Sequence, residues 1–521
     1  MLTYIVFSDK IYLLKRDSTR LAKMGVMPIL SFGGVLWEFY LKQQTQNILN
    51  KKIKKDRQVV TAQINAAKLT NYEDWKCTPD ISNLYLYKWG YFMIQSKFNI
   101  ITKNNENFII YNTLNNSIIE LNPVEYKKAM KNIKENKMSE VILSLKDQGM
   151  VIDEDDELDI IKYNYKCMQF DNLNLSLTIC PTMDCIFRCP YCFESRKHGK
   201  MTEENQKRLV EFVRNNIKTC KSMDVLWFGG EPLMAFDVIE NLSKEFLKIC
   251  EEYNIPYTAY IISNAYLIDD EIAKKFVEYK ISGIQVTIDG PKEIHDTRRV
   301  LEGNVGTYEK ICENIKILQN YDIKITIRIN IDKTNENKIS ALFKDFDQKG
   351  LNKVRFDFGH ILDYTENCKA ISCTCLTKQN FSKVILNYEK ELKKYNFEQN
   401  KIKHIPESIS IYCDAEKKFA YNIDHELNLY KCWNEIGDAT KVIGKLGEDE
   451  RTDQQRYNER RYILWDPFAS KTCRKCKYLP LCLGGCPFMG LKLRKNQCDK
   501  WKFVIDSIVK EYVNQDELWI N

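Results

Sequence analysis

From residue 171 to 360 the chain alternates short apolar runs with longer amphipathic stretches, at a period of roughly 30 to 40 residues. The runs NLNLSLTI, DVLWFGG, YTAYIIS, GIQVTID, IKITIRINI and KVRFDFG predict six buried strands. Between them TEENQKRLVEFVRNNIK, IENLSKEFLKICEEY, DEIAKKFVEYK and TYEKICENIKILQN carry the 3.6-residue spacing of helices. Strands joined by right-handed helical crossovers form a parallel sheet, doubly wound or curled into a partial barrel. In either form the reacting groups gather at the C-terminal ends of the strands.

Upstream the pattern changes. SKFNIITK and NFIIYNTLNNSIIEL read as strands with an Asn-rich turn between them. NPVEYKKAMKNIKEN and SEVILSLKDQG read as helices, the second stopped by Gly149. MVIDEDDEL reads as a short return strand and an acidic exit. Residues 93–166 thus form a small strand–helix module without catalytic residue types, suited to binding.

Residues 1–92 remain unassigned. The net charge of +7 arises in residues 1–60, with eleven Lys/Arg against four Asp/Glu, so the rest is neutral overall. This is a solvated basic extension and no basis for nucleic-acid binding. Met24 to Trp37 is uncharged, but its fourteen residues are fewer than the ~20 a helical span needs. No membrane span is expected.

The 19 cysteines change the picture most. In a chain of 521 residues without a clear cleavable signal, unpaired thiols point to a reducing cytoplasm rather than a disulfide framework. Cys77, Cys167, Cys180, Cys220, Cys250 and Cys312 stand singly and are expected as small buried hydrophobes. Ten others fall into two ordered sets. Cys185, Cys189 and Cys192 follow the first strand in CIFRCPYC. Three thiolates leave one iron of a four-iron cubane open, whereas a structural zinc site wants four closed ligands. The second set is Cys413, Cys432, Cys473, Cys476, Cys482, Cys486 and Cys498.

With CIFRCPYC, WFGGEP, IISN, VTIDGPKEIHDTRR and IRIN over residues 171–360, the chain resembles the radical S-adenosylmethionine (SAM) enzymes. The tail from Cys473 to Cys498 resembles their SPASM domain, as does CDAEKKFAYNIDHELNLYKCW, except that the family's glycine is Leu427 here. The resemblance implies a partial (β/α)6 TIM-like barrel at 171–365, a helical linker at 366–410 and a cysteine-rich iron–sulfur domain at 411–521. It implies that Cys185, Cys189 and Cys192 hold a [4Fe-4S] cluster whose open iron chelates SAM, and that one electron releases a 5′-deoxyadenosyl radical. Gly229, Gly230 and Glu231 would hold the methionine amino group, and Tyr191 would border adenine. Thr287 and Ser263 would contact ribose or the methionine end, and Arg299 the carboxylate. Arg299 could instead pair with Asp296, and His295 is read as a structural partner.

Two auxiliary [4Fe-4S] clusters are implied as well. Cys473, Cys476, Cys482 and Cys498 would close one. Cys413, Cys432 and Cys486 would hold the other, with an open iron or a fourth ligand from Cys368, Cys373 or Cys375. Residues 93–166 resemble the PqqD-like element, a winged-helix-like α+β module that binds the leader of a precursor peptide at a sheet edge. The resemblance therefore implies a cytoplasmic maturase of a ribosomally made peptide, forming a thioether or carbon–carbon crosslink, with a flavodoxin or ferredoxin as reductant. The alternatives are an anaerobic sulfatase maturase, an oxidative decarboxylase or epimerase of a peptide, and a non-catalytic iron–sulfur sensor or electron carrier. Trp433 weighs against the sulfatase maturases, where an Asp base follows the second SPASM cysteine. The SAM-facing GGEP and DGP loops weigh against a pure carrier. No catalytic residue is assigned.

Overall fold

The computed structural model describes residues 2–7, 10–15, 92–194, 198–363, 373–398 and 405–516. It divides into two compact units, residues 1–89 and 90–521. In the first, β1 (Leu2–Phe7) pairs antiparallel with β2 (Lys10–Lys15). The stretch Met24 to Trp37 and Cys77 lie outside the described residues. Among the described residues no helix is long and apolar enough to cross a membrane.

The second unit opens with β3 (Ile94–Gln95), β4 (Asn99–Asn104), β5 (Asn107–Asn112) and β6 (Ile118–Leu121). Helices Pro123–Lys134 and Glu140–Asp147 follow, then β7 (Val151–Ile152). β4, β5 and β6 form an antiparallel sheet, and β3 pairs with β7. Asparagine makes both tight turns: Asn105 and Asn116 take φ of 50° and 63°, a left-handed conformation this side chain tolerates. The Asn122 side chain accepts from the backbone N–H groups of Val124 and Glu125, and Glu125 accepts in return from the Asn122 N–H, closing a capping box.

The expected return strand and acidic exit, residues 151–156, are followed by a helix that was not expected, Glu157–Gln169. Its acidic first turn favours the positive end of the helix dipole. Ile161 and Tyr165 are then buried on one face, against Phe98, Phe468, Leu479 and Leu483. A second cluster joins Ile100, Ile109 and Tyr111 to Leu481, Ile505 and Val509. The N-terminal module is therefore packed onto the C-terminal part of the chain.

Six parallel strands form the centre: β8 (Asn174–Ile179), β9 (Ser222–Trp227), β10 (Tyr257–Ser263), β11 (Ile281–Thr287), β12 (Lys324–Ile331) and β13 (Val354–His360). They stand in chain order, each hydrogen-bonded to the next, as a partial (β/α)6 barrel. The sequence reading treated these strands as buried throughout. Instead, one face is polar. On β8, Leu175, Leu177 and Ile179 join the core, whereas Asn174, Ser176 and Thr178 line a central cavity. The barrel curls around a cleft, so only its convex face needs apolar cover.

The C-terminal segment continues this sheet. β14 (Ala420–Ile423) runs parallel beside β8, and β15 (Asn428–Tyr430) and β16 (Gly444–Lys445) follow antiparallel, giving a mixed α/β fold with a nine-stranded, mostly parallel sheet. Leu427 makes the turn between β14 and β15 at φ 67° and is fully buried. The turn keeps its left-handed step without glycine. In the expected helical linker, Lys378–Leu392 is helical, while residues 364–372 and 399–404 are not described.

Candidate active site

The loop after β8 carries Cys185, Cys189 and Cys192, and all three line a cavity of about 1390 Å³. The loop is held by its own backbone. Thr182 Oγ1 donates to the Gly199 carbonyl (2.7 Å), Arg188 Nη1 to the Cys185 carbonyl (2.7 Å), and the Arg188 N–H to the Val300 carbonyl (2.8 Å). Burial pushes the thiols of Cys185 and Cys192 up to about 12. Protein surroundings alone thus keep them protonated, and a bound metal would be needed to make them thiolates. The donor set fits an iron–sulfur cluster.

Gly229 and Gly230 also line the cavity. A Cβ on Gly229, which sits at φ 121°, would lie 2.4 Å from the Thr182 carbonyl oxygen. One on Gly230 would lie 2.4 Å from the Asp184 carbonyl oxygen. These glycines let the loop after β9 press against the cysteine loop. Glu231 is fully buried behind them and is not among the lining residues. Its carboxylate accepts from Ser263 Oγ (2.8 Å), the Asn264 N–H (2.7 Å) and the Leu233 N–H (3.0 Å). Ser263 and Thr287 line the cavity, with the Ser263 hydroxyl directed to Glu231.

Tyr191 and Arg299 face the same space and touch each other, Arg299 Nη1 donating to the Tyr191 hydroxyl at 3.0 Å. The Tyr191 hydroxyl donates to Asp289, which also accepts from Arg298 Nε (3.3 Å) and the Asn330 N–H (3.0 Å). Arg298 spreads over the Tyr191 ring and reaches Asp332 at 3.0 Å. Asp296, the alternative partner for Arg299, instead accepts from the N–H groups of Thr307 and Tyr308. His295 is buried, its Nε2 3.0 Å from Thr307 Oγ1.

Sequence reasoning gave no role to Arg298, Asp332 or Asn330, and placed Asp289 only within the SAM-facing DGP loop. The adjacent arginines were the available signal, since one arginine had already been placed. Two buried polar atoms in this wall, Arg299 Nε and Asn264 Nδ2, have no hydrogen-bond partner among the described residues. Free donors beside three thiols suit a ligand with anionic or carbonyl oxygens, as SAM has.

Cys413, Cys432 and Cys486 line the same cavity. Burial pushes the Cys413 thiol up to about 12, with Cys486 among its neighbouring charges. Cys473, Cys476, Cys482 and Cys498 are not lining residues and interact among themselves. Cys368 lies outside the described residues. Cys373 is exposed, and neither it nor Cys375 lines the cavity. Of the single cysteines, Cys180, Cys250 and Cys312 are buried, whereas Cys220 is half-buried and Cys167 exposed, because its helix position faces outward. Trp433, next to Cys432, stacks on Phe228, which stacks on Phe193 beside Cys192. All three rings line the cavity.

Known proteins resemble the chain over this region. A cysteine-type anaerobic sulfatase-maturating enzyme of Clostridium novyi (strain NT) is 25% identical over 345 residues, 60% of this chain and 88% of the relative. Among solved structures, native anSMEcpe with bound AdoMet and Cp18Cys peptide is 21% identical, with a TM-score of 0.50, covering 66% of this chain and 99% of that one. Streptococcus suis SuiB bound to precursor peptide SuiA is 16% identical, with a TM-score of 0.46, covering 78% and 98%. Residues 179–346, from the end of β8 to the helix before β13, match the Radical SAM superfamily. The cysteine loop, the glycine loop and the Tyr191–Arg299 wall lie within that stretch, and residues 179–346 are a radical SAM domain.

Proposed function

We propose that this chain is a radical SAM maturase of a ribosomally made precursor peptide, abstracting hydrogen from a residue that then forms a thioether or carbon–carbon crosslink. One observation carries the reading: the triads Cys185–Cys189–Cys192 and Cys413–Cys432–Cys486 open into a single cavity of about 1390 Å³. Pockets for one small ligand typically hold ~300–1,000 Å³. The excess leaves room in the same cavity for more than SAM alone, a second reactant among it. The solved neighbour that holds AdoMet together with a peptide supports the same class of substrate.

In this reading Cys185, Cys189 and Cys192 hold the [4Fe-4S] cluster. Gly229, Gly230, Ser263, Thr287, Tyr191 and Arg299 surround SAM, with Glu231 bracing the loop from behind. Cluster and SAM together supply the 5′-deoxyadenosyl radical; the polypeptide positions the reactants and shields them from water. The Asp289 carboxylate holds the Tyr191 hydroxyl, and Tyr191 holds Arg299. Cys413, Cys432 and Cys486 hold one auxiliary cluster as part of a SPASM domain, and Cys473, Cys476, Cys482 and Cys498 a second. Residues 93–166 act as the PqqD-like element, with the outer edge of β6 free among the described strands to take a leader segment. A flavodoxin or ferredoxin supplies electrons in the cytoplasm.

A second reading, oxidation of a sulfatase Cys to formylglycine, is favoured by the name of the Clostridium novyi relative. Both are tested on anaerobically reconstituted protein given SAM and dithionite. The wild type releases 5′-deoxyadenosine, and the Cys185→Ala/Cys189→Ala/Cys192→Ala protein does not. With a precursor peptide as substrate, mass spectrometry finds two hydrogens lost per crosslink. Formylglycine in a sulfatase peptide, without crosslinking, would decide for the second reading.

A further inference from the structure

Helix Glu157–Gln169 joins the N-terminal module to the auxiliary thiol loop through buried polar contacts. At its start Glu157 is buried and accepts from Ser96 Oγ (2.5 Å) and the Lys97 N–H (3.3 Å), and Ser96 Oγ accepts from Asn112 Nδ2 (2.9 Å). These contacts fix the helix to the module's strands. Toward its other end the Tyr165 hydroxyl, on a side chain of zero exposure, donates to Glu416 Oε2 at 2.8 Å. Glu416 has zero exposure too, and its Oε1 accepts from the backbone N–H of Cys413 at 3.1 Å. A further pair of bonds, Gln169 Nε2 to the Ile463 carbonyl (2.9 Å) and the Lys418 N–H to the Gln169 carbonyl (2.8 Å), anchors the helix end without touching a thiol residue.

We propose that Tyr165 is a positioning residue for Cys413, so that the N-terminal module sets the geometry of the thiol triad that shares the cavity with the SAM site. The inference rests on the reading that Cys413, Cys432 and Cys486 hold a cluster. A buried carboxylate that has lost one of its donors is left under-satisfied, which is unfavourable and biases its position. The Tyr412 N–H donates to Glu416 as well, so removing the Tyr165 hydroxyl leaves the carboxylate on its backbone donors alone and shifts the seat it gives the Cys413 N–H. The ring itself stays packed, edge-on to Phe468.

The test uses the full chain, reconstituted anaerobically, with iron content, electron paramagnetic resonance of the reduced clusters and thermal unfolding as readouts. Tyr165→Phe, which also loses the contact of the hydroxyl with the Trp465 carbonyl (3.2 Å), still folds and keeps the iron content but changes the resonance of one cluster, the one that Cys413→Ala abolishes. Glu416→Ala loses about 4 Fe per chain, one cubane. Glu416→Gln, which still accepts from the Cys413 N–H, restores both iron and spectrum. Gln169→Met, which loosens the same interface away from the thiols, leaves the spectrum unchanged. Unchanged spectra in Tyr165→Phe and Glu416→Ala overturn the inference, as does a Gln169→Met spectrum altered in the same way. If Cys413→Ala removes no cluster from the wild-type set, the auxiliary-cluster reading falls and this inference with it.

Discussion

At the scale of single residues, the buried arginine and the exposed lysine at the two ends of helix Lys292–Arg298 make a contrast that magnitude decides. Arg298 pairs with Asp289 and Asp332 at 9% side-chain exposure. Lys292 pairs with Asp296 and Glu309 at 52%. Breaking a buried pair leaves an uncompensated charge and costs about 3–5 kcal/mol, whereas an exposed pair is worth about 0–1 kcal/mol. Arg298→Met is expected to lower the unfolding midpoint strongly and Lys292→Met hardly at all, as measured by urea titration. His295 adds a pH dependence. Burial, with Arg299 and Arg298 nearby, holds its pKa well below the usual value. The unfolded chain binds that proton near pH 6.5 and the folded chain does not. Stability is therefore full above about pH 6.5 and falls as pH drops toward the folded value, by at most about 1.4 kcal/mol per unit. His295→Gln is expected to flatten that part of the stability curve. The reading of His295 as a structural partner agrees with its burial and its contact with Thr307 Oγ1. The Arg298 network was not legible in the sequence, because Asp332 stands 34 residues away and nothing local marks it.

At the scale of elements, the six strands were legible because each is a short β-rich run bounded by turn residues. The helix Glu157–Gln169 was missed because its acidic first turn has the composition of a solvated loop, and its inner face, Glu157, Ile161, Tyr165 and Gln169, is buried by distant partners. The turn at Leu427 gives an element-scale prediction. A left-handed non-glycine residue costs ~1–2 kcal/mol, whereas truncating a buried leucine to alanine costs ~2–5 kcal/mol. Burial wins, so both Leu427→Ala and Leu427→Gly destabilise. Glycine alone relieves the backbone, so Leu427→Gly is expected to be the more stable of the two by about 1 kcal/mol, reversing the order usual inside a strand or helix. Paired denaturation curves decide it. A Leu427→Ala protein more stable than Leu427→Gly would mean that the turn carries no strain.

At the scale of the whole second unit, the sequence divides into a binding module, a barrel and a cysteine-rich tail, but packing does not respect those borders. β14 is hydrogen-bonded directly to β8 of the barrel, and the face of β4 and β5 is buried by Leu481, Ile505 and Val509. Such contacts span hundreds of residues and leave no periodic trace, since an apolar strand face looks the same whether its cover comes from a neighbouring helix or from the far end of the chain. The consequence is cooperative. Ile100 has zero exposure and belongs to that interface. Ile100→Ala removes about 2–5 kcal/mol of packing. If the module and the tail share one core, the loss is felt by both, and a calorimetric scan of the variant shows the main transition moved to lower temperature as a whole. An autonomous module would instead melt in an early transition of its own, leaving the barrel's transition where it was. The two clusters of buried side chains that tie Phe98, Ile100, Ile109, Tyr111, Ile161 and Tyr165 to residues 468–509 favour the first outcome. They leave the module too little private core to hold together once its partner has gone, because its own cluster comprises only the eight buried residues around Met93, Ile110 and Ile142.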